Sequence, residues 1–507
     1  MIQSTCLFIA ALTDLWNDTI RTVGQFTISN QMSETSKPSY VPNKTITEDE
    51  YSILVLPSGV RKMLQLRSDG VINMGKFGMF NVADVLGFPY GQAFEIASEN
   101  KVIPIKSMDE GVNLTDLDDE DVLNGSSKDN RLLVDEANVQ KLTLEQIEEM
   151  KNKAGGNEVA REIIQEMIKN HGSFDKKTAY SQEKYLDRKH KKFLRRFQIN
   201  YLSANEMLDY LYHEKEPFRI MNLSIESLGL MMSLSNIMPG GNYLVMDETG
   251  GLIVYAMLER MGNRGTITLL HENDQPSVHL LTKTRYASEL STSPTSMVQY
   301  ANVLQFLEPE TERPDFTELS EEDYGNLNEV QRKQYDRKLK KAQILNVVLD
   351  NIERNDFESL IYASTLNPVT FVSRIIPRMR GSSPLVIYNQ YKEMLIELNH
   401  LWLRQKNILL PNIHHSVVRR YQTIPGRIHP LMTSRSDGGF LLTGINVFPI
   451  QDVVAIGRGT KKRRLAREAK AVDTESESAT PIPEVASTTA TPDVNVDINI
   501  NVGADSN

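Results

Sequence analysis

Two scarcities in this sequence, of cysteine and of long apolar runs, exclude several functional classes. Among the 507 residues Cys6 is the single cysteine, which excludes an internal disulfide framework and a cysteine-built zinc site. This usage is typical of a reducing compartment, and Cys6 itself is interpreted as unreactive. No segment approaches the roughly 20 consecutive apolar residues of a membrane helix. The apolar patch at 6–12 has no basic residue before it, so no secretory signal is expected.

The sequence also lacks a net positive charge, although the deficit is local. The formal net charge is −10, and residues 107–150 hold 13 acidic and 3 basic side chains, which alone sum to −10. The rest of the chain is close to neutral, so basic patches that bind phosphate backbones remain compatible with the sequence. Length and a hydrophobic content of 40% favour two or three domains with substantial cores.

The N-terminal part divides into a tail and a small β domain. Residues 1–50 show no sustained period and are expected to be a disordered tail, with Met32 as an alternative start. Residues 51–105 carry short apolar runs separated by glycines, which predict a small β-barrel. Lys62, Arg67 and Lys76 are candidate phosphate contacts on its surface, and ordinary solvated cations are the alternative.

An acidic segment and a basic helical linker follow. Residues 106–135, and 107–130 above all, are predicted to be a disordered acidic insertion that acts as a solubilising spacer. Residues 136–200 are predicted to be a helical, basic linker with helices at 143–153 and 157–169.

A third helix in this linker, from about Ser181, separates apolar from basic side chains. Its predicted apolar face comprises Leu186, His190, Phe193 and Phe197, with His190 interpreted as a core histidine. The opposite face is interpreted either as a surface that follows an RNA backbone in a salt-dependent way or as a solvated helix face, and both remain open. The candidate RNA-binding cations are Lys184, Arg188, Lys191, Lys192, Arg195 and Arg196.

Strands and helices alternate in residues 201–450, which predicts an α/β domain with a mainly parallel, doubly wound sheet. The strands are predicted at 243–246, 266–270, 303–307, 359–362 and 385–388, and the helices at 224–235, 252–261, 339–353, 369–378 and 392–405. Two consecutive strands at 416–422 and 439–447 close the sheet, as in class I methyltransferases. Residues 309–341 are predicted to be a charged surface insertion.

The last segment, 451–507, is expected to be a disordered tail. It begins with the basic cluster Lys461–Arg464, which suits nuclear import or RNA contact. A nuclear location is therefore expected.

The stretch 238–252 is a strand, a turn and a helix, and this arrangement binds nucleotide-like cofactors in open α/β sheets. A working site for S-adenosylmethionine would carry roughly Glu-x-Gly-x-Gly. Here Asp247 and Thr249 replace the first two glycines, with Glu248 between them, and Gly250 and Gly251 follow. Two carboxylates would repel the carboxylate of the cofactor by about 1 kcal/mol each at ~4 Å in water and about 4 kcal/mol at an effective dielectric of ~20. The turn is therefore predicted to be degenerate, with no cofactor, no metal and no catalytic residue in this chain.

Three stretches of the chain together resemble one family. They are Thr178–Lys192, Ser383–Glu393, and Tyr421–Met432 followed by Gly438–Leu442. They are similar to the non-catalytic subunits of the eukaryotic tRNA (adenine-58 N1) methyltransferase, over about residues 51–447.

The resemblance implies a paralogue of the methylating subunit, with an N-terminal barrel and a C-terminal class I methyltransferase-like (Rossmann-like) domain. It implies a heterotetramer of two copies each with the catalytic subunit, which uses S-adenosylmethionine, and tRNA held across both subunits. Two departures from the working enzymes agree with this. The fourth strand ends at 361–365 without a carboxylate, and the second strand ends at His271 and Glu272, of which Glu272 can still bind a ribose.

The long loop before the last strand carries three further candidates. The resemblance implies that Arg427, His429 and Arg435 brace the active site of the partner or touch RNA, and a loop ordered by its own Pro425 and Pro430 turns is the alternative.

The leading hypothesis is a non-catalytic, tRNA-binding subunit. An active methyltransferase with an atypical donor turn is the first alternative, and it predicts donor binding by the chain alone. A general RNA-binding scaffold is the second, and it predicts stable monomers or homodimers.

Overall fold

The structure is a computed structural model that describes residues 45–448 except 98–100, 109–141, 153–155, 173, 175–176, 178, 291–292, 315, 425–426 and 433–437. Met32, nearly all of the predicted acidic insertion and the cluster Lys461–Arg464 lie outside the described residues. The strands are β1 Tyr51–Val55, β2 Arg61–Gln65, β3 Val71–Asn73, β4 Met79–Asn81, β5 Ala93–Ile96, β6 Val102–Ile105, β7 Arg196–Tyr201, β8 Asn242–Asp247, β9 Thr266–His271, β10 Val298–Asn302, β11 Ser359–Ala363, β12 Pro384–Asn389, β13 Ile408–His414, β14 Tyr421–Ile424, β15 Arg427–Pro430 and β16 Phe440–Asn446.

The described helices lie mostly between these strands. They are α1 Leu144–Asn152, α2 Gly156–Lys169, α3 Ala179–Phe193, α4 Ala204–Glu214, α5 Ile225–Leu234, α6 Leu252–Met261, α7 Val303–Leu307, α8 Glu321–Gly325, α9 Glu329–Glu353, α10 Pro368–Ile375 and α11 Lys392–Arg404. Within the described part of the chain, none of them combines the length and the apolar character needed to cross a membrane.

The larger sheet has seven strands in the order β10-β9-β8-β11-β12-β16-β13. The first five are parallel, whereas β16 runs antiparallel to both of its neighbours. The chain leaves β8 towards β9 and β10 on one side and returns to β11 and β12 on the other. The predicted doubly wound, methyltransferase-like sheet is therefore confirmed, and β8 is its switch point.

Residues of β8 show why both faces of this sheet are covered. Tyr243 and Val245 belong to the core under helices α4, α5 and α6, whereas Leu244 and Met246 belong to the core under α9, α10 and α11. Successive side chains of a strand point to opposite faces, so a continuous apolar run needs two layers of helices. Each fully buried aliphatic side chain here contributes about 1.5–3 kcal/mol.

Two strands of this sheet were predicted in the wrong place. Residues 303–307 form helix α7, because Asn302 and Gln305 make a capping box at its start, and the strand is the preceding β10. The strand predicted at 416–422 is also wrong, since β13 at Ile408–His414 pairs with β16. The loop between them contains the hairpin β14–β15 instead.

The charged segment at 309–341 is partly helical. Helix α9 starts at Glu329 after a capping box between Asn328 and Gln331, ten residues earlier than the predicted start at 339, and has 25 residues. Its first half is charged and its second half packs on the sheet through Val348, Leu349 and Ile352.

The smaller sheet is antiparallel, with the order β2-β1-β7-β5-β6. Phe197 of β7 stacks between Phe80 and Phe94 at ring-centroid distances of 4.1 and 5.3 Å. Its described strands form an open sheet with β2 and β6 at the edges, and the predicted closed barrel is not confirmed. The central strand comes from residues 196–201, of which 196–200 were predicted to belong to the helical linker.

The helices of the linker form a small cluster of their own. Ile147 of α1, Ile163 and Met167 of α2 and Phe193 of α3 are buried together. The two helices predicted at 143–153 and 157–169 are confirmed within a few residues. Helix α3 ends at Phe193, so the prediction that Phe197 lies on its apolar face is wrong.

The first residue of β7 is a buried charge. Arg196 is 1% exposed, its Nε lies 3.1 Å from Oε2 of Glu95, and its Nη1 donates to the Met108 carbonyl at 2.8 Å. We expect Glu95→Ala to lower the free energy of unfolding by about 3 kcal/mol, because it removes a carboxylate that is paired with the buried guanidinium. Lys62→Ala, at an exposed position of the same sheet, should change it by less than about 0.5 kcal/mol. Urea denaturation of the purified chain measures both, and equal effects would contradict the assignment.

Candidate functional site

The candidate site lies at the carboxyl end of β8, in the middle of the larger sheet. Asp247 ends the strand, Gly250 and Gly251 have φ angles of 82° and 92°, and α6 begins at Leu252. Positive φ angles are accessible to glycine without steric cost, so the two glycines allow the sharp turn from strand to helix. The predicted strand, turn and helix are all present.

Asp247 faces inward and caps the helix. Its Oδ1 accepts hydrogen bonds from the amide of Thr249 at 2.7 Å and from Thr249 Oγ1 at 2.5 Å. Its Oδ2 accepts from the amides of Ile253 and Val254 at 3.1 and 3.2 Å. Burial raises the pKa of the Asp247 carboxyl, and these four hydrogen bonds oppose the shift because they favour the ionised form.

The expected role of Asp247 as a charge that repels a cofactor is therefore corrected. The side chain is 5% exposed and does not face a cofactor space. It occupies the amides at the start of α6 that a bound anion would otherwise use.

Glu248 joins the ends of two neighbouring strands. Its Oε1 accepts a hydrogen bond from Ser364 Oγ at 2.5 Å, and its Oε2 accepts from the amide and the hydroxyl of Thr365, both at 2.9 Å. These residues follow β11, the strand whose end was noted above to lack a carboxylate. The polar groups at this end of β11 are thus already hydrogen-bonded within the chain.

The segment 278–281 lies directly against the two glycines. The amide of Leu280 donates to the carbonyl of Gly250 at 3.2 Å. A Cβ added to Gly250 would lie 2.5 Å from Cε1 of His279, and one added to Gly251 would lie 3.2 Å from the Cα of Val278. The surface that would approach a cofactor is therefore covered by the chain itself.

Sequence reasoning missed this segment. The adjacent Leu280 and Leu281 are 4% and 1% exposed, and this apolar pair was the available signal that the segment packs inward. The pair follows Pro276 in a polar stretch, and its packing partner depends on the tertiary fold.

The end of β9 retains an accessible carboxylate. Glu272 is exposed, while its carbonyl and that of Asn273 accept from the side chain of Asn302 at 3.3 and 3.4 Å. His271 lies beside it with Nδ1 2.6 Å from the Asn273 carbonyl. Among the described residues, no group of three or more His, Cys, Asp or Glu side chains is arranged to hold a metal ion.

Helix α3 presents part of the predicted basic surface. Lys184, Arg188, Lys191 and Lys192 are exposed, and Lys191 makes an ion pair with Asp187 at 2.7 Å. His190 is partly buried, and burial lowers the pKa of its imidazole, in keeping with the predicted packing role.

Two of the predicted cations are placed differently. Arg195 follows the helix and is only partly exposed, and Arg196 is the buried partner of Glu95 described above. The prediction that Arg196 contacts RNA is wrong, because the chain enters β7 after Phe193 and the strand turns this side chain inward.

The remaining candidates are distributed over other surfaces. Lys62, Arg67 and Lys76 are exposed in the smaller sheet and its loops, with Lys76 Nζ 4.7 Å from the centre of the Phe77 ring. His429 is exposed in β15. Arg427 belongs to the same strand, but its side chain lies outside the described residues, as does the whole of Arg435.

Known proteins match this chain in sequence over most of its length. The sequence profile of the Gcd10p family matches residues 45–331. The tRNA (adenine(58)-N(1))-methyltransferase non-catalytic subunit of Debaryomyces hansenii is 40% identical over 447 residues, which cover 86% of this chain and 94% of that protein. The protein of the same name from Candida glabrata is 37% identical over 454 residues, with coverages of 80% and 94%.

Similarity to solved structures is lower. The tRNA (m1A58) methyltransferase TrmI of Aquifex aeolicus is 10% identical and covers 80% of this chain and all of that chain, with a TM-score of 0.38. A score of this size supports no functional conclusion, and the strand order described above defines the fold. By its sequence, the chain belongs to the Gcd10p family, the non-catalytic subunits of tRNA (adenine(58)-N(1))-methyltransferase.

Proposed function

We propose that this chain binds tRNA and supports a separate catalytic subunit, which methylates the N1 atom of adenine-58, while binding no S-adenosylmethionine itself. The single observation that carries the proposal is the donor turn closed by Asp247 and by the segment 278–281. We further propose a heterotetramer of two copies of each subunit, acting in the nucleus.

The chemistry of the closed turn supports the absence of a bound donor. A donor carboxylate needs free amides at the start of α6, and the Asp247 carboxylate already accepts from two of them. The alternative of an active methyltransferase would require the segment 278–281 to leave its packed position against Gly250 and Gly251. No described contact favours that alternative.

Exposed apolar side chains near the edge of the larger sheet support an extensive partner surface. Leu410 of β13, Ile428 of β15 and Met432 are 79%, 74% and 71% exposed. Strand β13 is the last strand of its sheet, and the hairpin β14–β15 follows it in the chain. Large exposed apolar side chains are typical of protein interfaces. These side chains mark our proposed partner surface for the catalytic subunit.

The exposed cations of α3 support tRNA binding. Lys184, Arg188, Lys191 and Lys192 occur within three turns of one helix, which suits contacts to successive phosphates. Such contacts position an RNA without reading its sequence, so the choice of adenine-58 is assigned to the assembled complex.

Donor binding distinguishes the proposed function from the active-enzyme alternative. We expect calorimetric titration of S-adenosylmethionine to give no heat of binding with this chain alone, and binding with the complex at one donor per catalytic subunit. Asp247→Gly with Thr249→Gly should not restore binding, because the segment 278–281 still covers the turn. The free energy of unfolding of the double variant should also fall by about 2–3 kcal/mol, because the side chain that caps α6 is removed. Donor binding and tRNA methylation by the chain alone would establish the active-enzyme alternative.

Charge reversal tests the basic surface of α3. Arg188→Glu with Lys191→Glu should weaken tRNA binding by the complex roughly tenfold near ~0.1 M salt and reduce the salt dependence by about two phosphate contacts. Subunit assembly should be unchanged. Lys169→Glu with Lys215→Glu makes the same charge change elsewhere and serves as the control. Fluorescence anisotropy across a salt series measures both, and an unchanged affinity would remove α3 from the tRNA interface.

Polar substitutions of exposed apolar side chains test the partner surface. Leu410→Ser with Ile428→Ser should raise the dissociation constant for the catalytic subunit about 30-fold. Each substitution removes an apolar side chain that the assembly would bury. Val71→Ser with Val330→Ser, at positions that are 58% and 65% exposed, is the matched control. Light scattering after gel filtration should give two copies of each subunit for the unaltered protein. A stable monomer or homodimer that ignores the catalytic subunit would instead support the scaffold alternative.

A further inference from the structure

A second site lies next to the closed donor turn. A cavity of about 670 Å³ opens beside the carboxyl ends of β9 and β10, within the range of about 300–1,000 Å³ that ligand sites in proteins occupy. The carboxyl edge of an open α/β sheet is where such folds bind ligands. Its lining includes His271 of β9, Gln305 of α7 and the segment from Asp274 to Val278. That segment separates the cavity from Gly250 and Gly251, so the cavity remains open although the turn is closed.

The opposite wall of the cavity is basic. It is formed by Arg337, Lys340 and Lys341 of α9, all exposed. Within the described part of the chain these three cations have no hydrogen bond or ion pair, in contrast to Lys333 of the same helix, which pairs with Glu329 at 2.7 Å. Asp274 is the one carboxylate among the described lining residues, so the cations outnumber the anion by three to one.

The floor of the cavity is apolar and includes an aromatic ring. Leu290, Tyr300, Ile344 and Leu345 line it. The hydroxyl of Tyr300 is enclosed and has no hydrogen-bond partner among the described residues, and burial raises its pKa to about 12. The aromatic ring of Tyr300, and not its hydroxyl, is therefore what the floor offers to a ligand.

The length of α9 explains how the cations reach this place. Its 25 residues span about 37 Å at ~1.5 Å per residue, and its buried residues begin at Ala342. The preceding half, about 19 Å long, therefore extends beyond the packed core at the edge of the sheet where β9 and β10 end. Residues 309–341 were predicted to be a charged surface insertion. The helical part of this segment supplies one wall of the cavity.

We propose that this cavity binds a nucleotide unit, with its phosphate at Arg337, Lys340 and Lys341 and its base against the apolar floor. Proteins bind single-stranded RNA through ion pairs between phosphates and cationic side chains, and through contacts between bases and aromatic rings. The wide opening of the cavity favours a strand of RNA over a free nucleotide as the source. This inference rests on the proposed function, because it places a second tRNA contact on the subunit that is proposed to bind tRNA.

The test compares two double variants of the same helix in the complex with the catalytic subunit. Lys340→Ala with Lys341→Ala removes two cations of the cavity, and Lys333→Ala with Lys338→Ala removes two that do not line it. Alanine preserves helix propensity, so α9 should remain folded in both. We expect the first variant to weaken tRNA binding roughly fivefold to tenfold and to lower the salt slope by about two, and the control to change the affinity less than about twofold. Ultraviolet crosslinking of tRNA should label peptides that contain Tyr300 or residues of α9.

A second arm identifies the source of the nucleotide. Adenosine monophosphate is titrated into the complex with S-adenosylmethionine present, so that the donor site of the partner is filled. Binding that disappears in Lys340→Ala with Lys341→Ala assigns the cavity to free nucleotides, and absence of binding together with the tRNA effect assigns it to RNA.

Three outcomes overturn the inference. The cavity is not a nucleotide site if both double variants weaken tRNA binding equally, since a general electrostatic field would then explain the effect. The same holds if neither tRNA affinity nor nucleotide binding responds to the first variant. If the unaltered complex binds tRNA no better than the catalytic subunit alone, the proposed function itself fails, which is a different result from the first two.

Discussion

The buried carboxylate of Asp247 is the interaction on which the centre of the molecule depends. It lies at the end of the central strand β8 and accepts hydrogen bonds from the amides of Ile253 and Val254 at the start of α6. A buried carboxylate is stable only when its hydrogen-bonding capacity is used, and here it is used four times over within the same turn. In this family member the amides that a nucleotide site needs are occupied by the protein's own anion, so the turn serves the stability of the fold.

The neighbouring strand ends show the same change of use. Glu248 links the end of β8 to Ser364 and Thr365 after β11, and the segment 278–281 packs on the glycines. These contacts are internal to the chain and leave the strand order unaltered. A methyltransferase-like sheet can therefore persist while its turn makes internal contacts, because the two apolar faces of the sheet, and not the turn, hold the helices.

Function in such a chain moves to its surfaces, and the described surfaces differ in character. Helix α3 is basic, β13 and the hairpin β14–β15 carry exposed leucine and isoleucine side chains, and the first half of α9 carries cations beside an open cavity. A net charge of −10 conceals these basic regions, since the acidic residues are concentrated in 107–150. The average charge of a chain is thus a poor guide to what its separate surfaces bind.

Local patterns in the sequence determined the doubly wound sheet, the boundaries of α6 and the turn between β8 and α6, because strand and helix periods and glycine positions act over a few residues. They also identified Lys184, Arg188 and Lys191 as one exposed surface. Tertiary structure alone decided that Asp247 caps α6 and that residues 278–281 cover Gly250 and Gly251, since the direction of a side chain and the position of a distant loop depend on packing. It also decided that Arg196 is buried against Glu95 and that β7 completes the smaller sheet, because strand pairing joins residues about 100 positions apart. Contacts between residues so far apart in the chain leave no periodic signal in either partner. They could therefore not be predicted from the sequence alone.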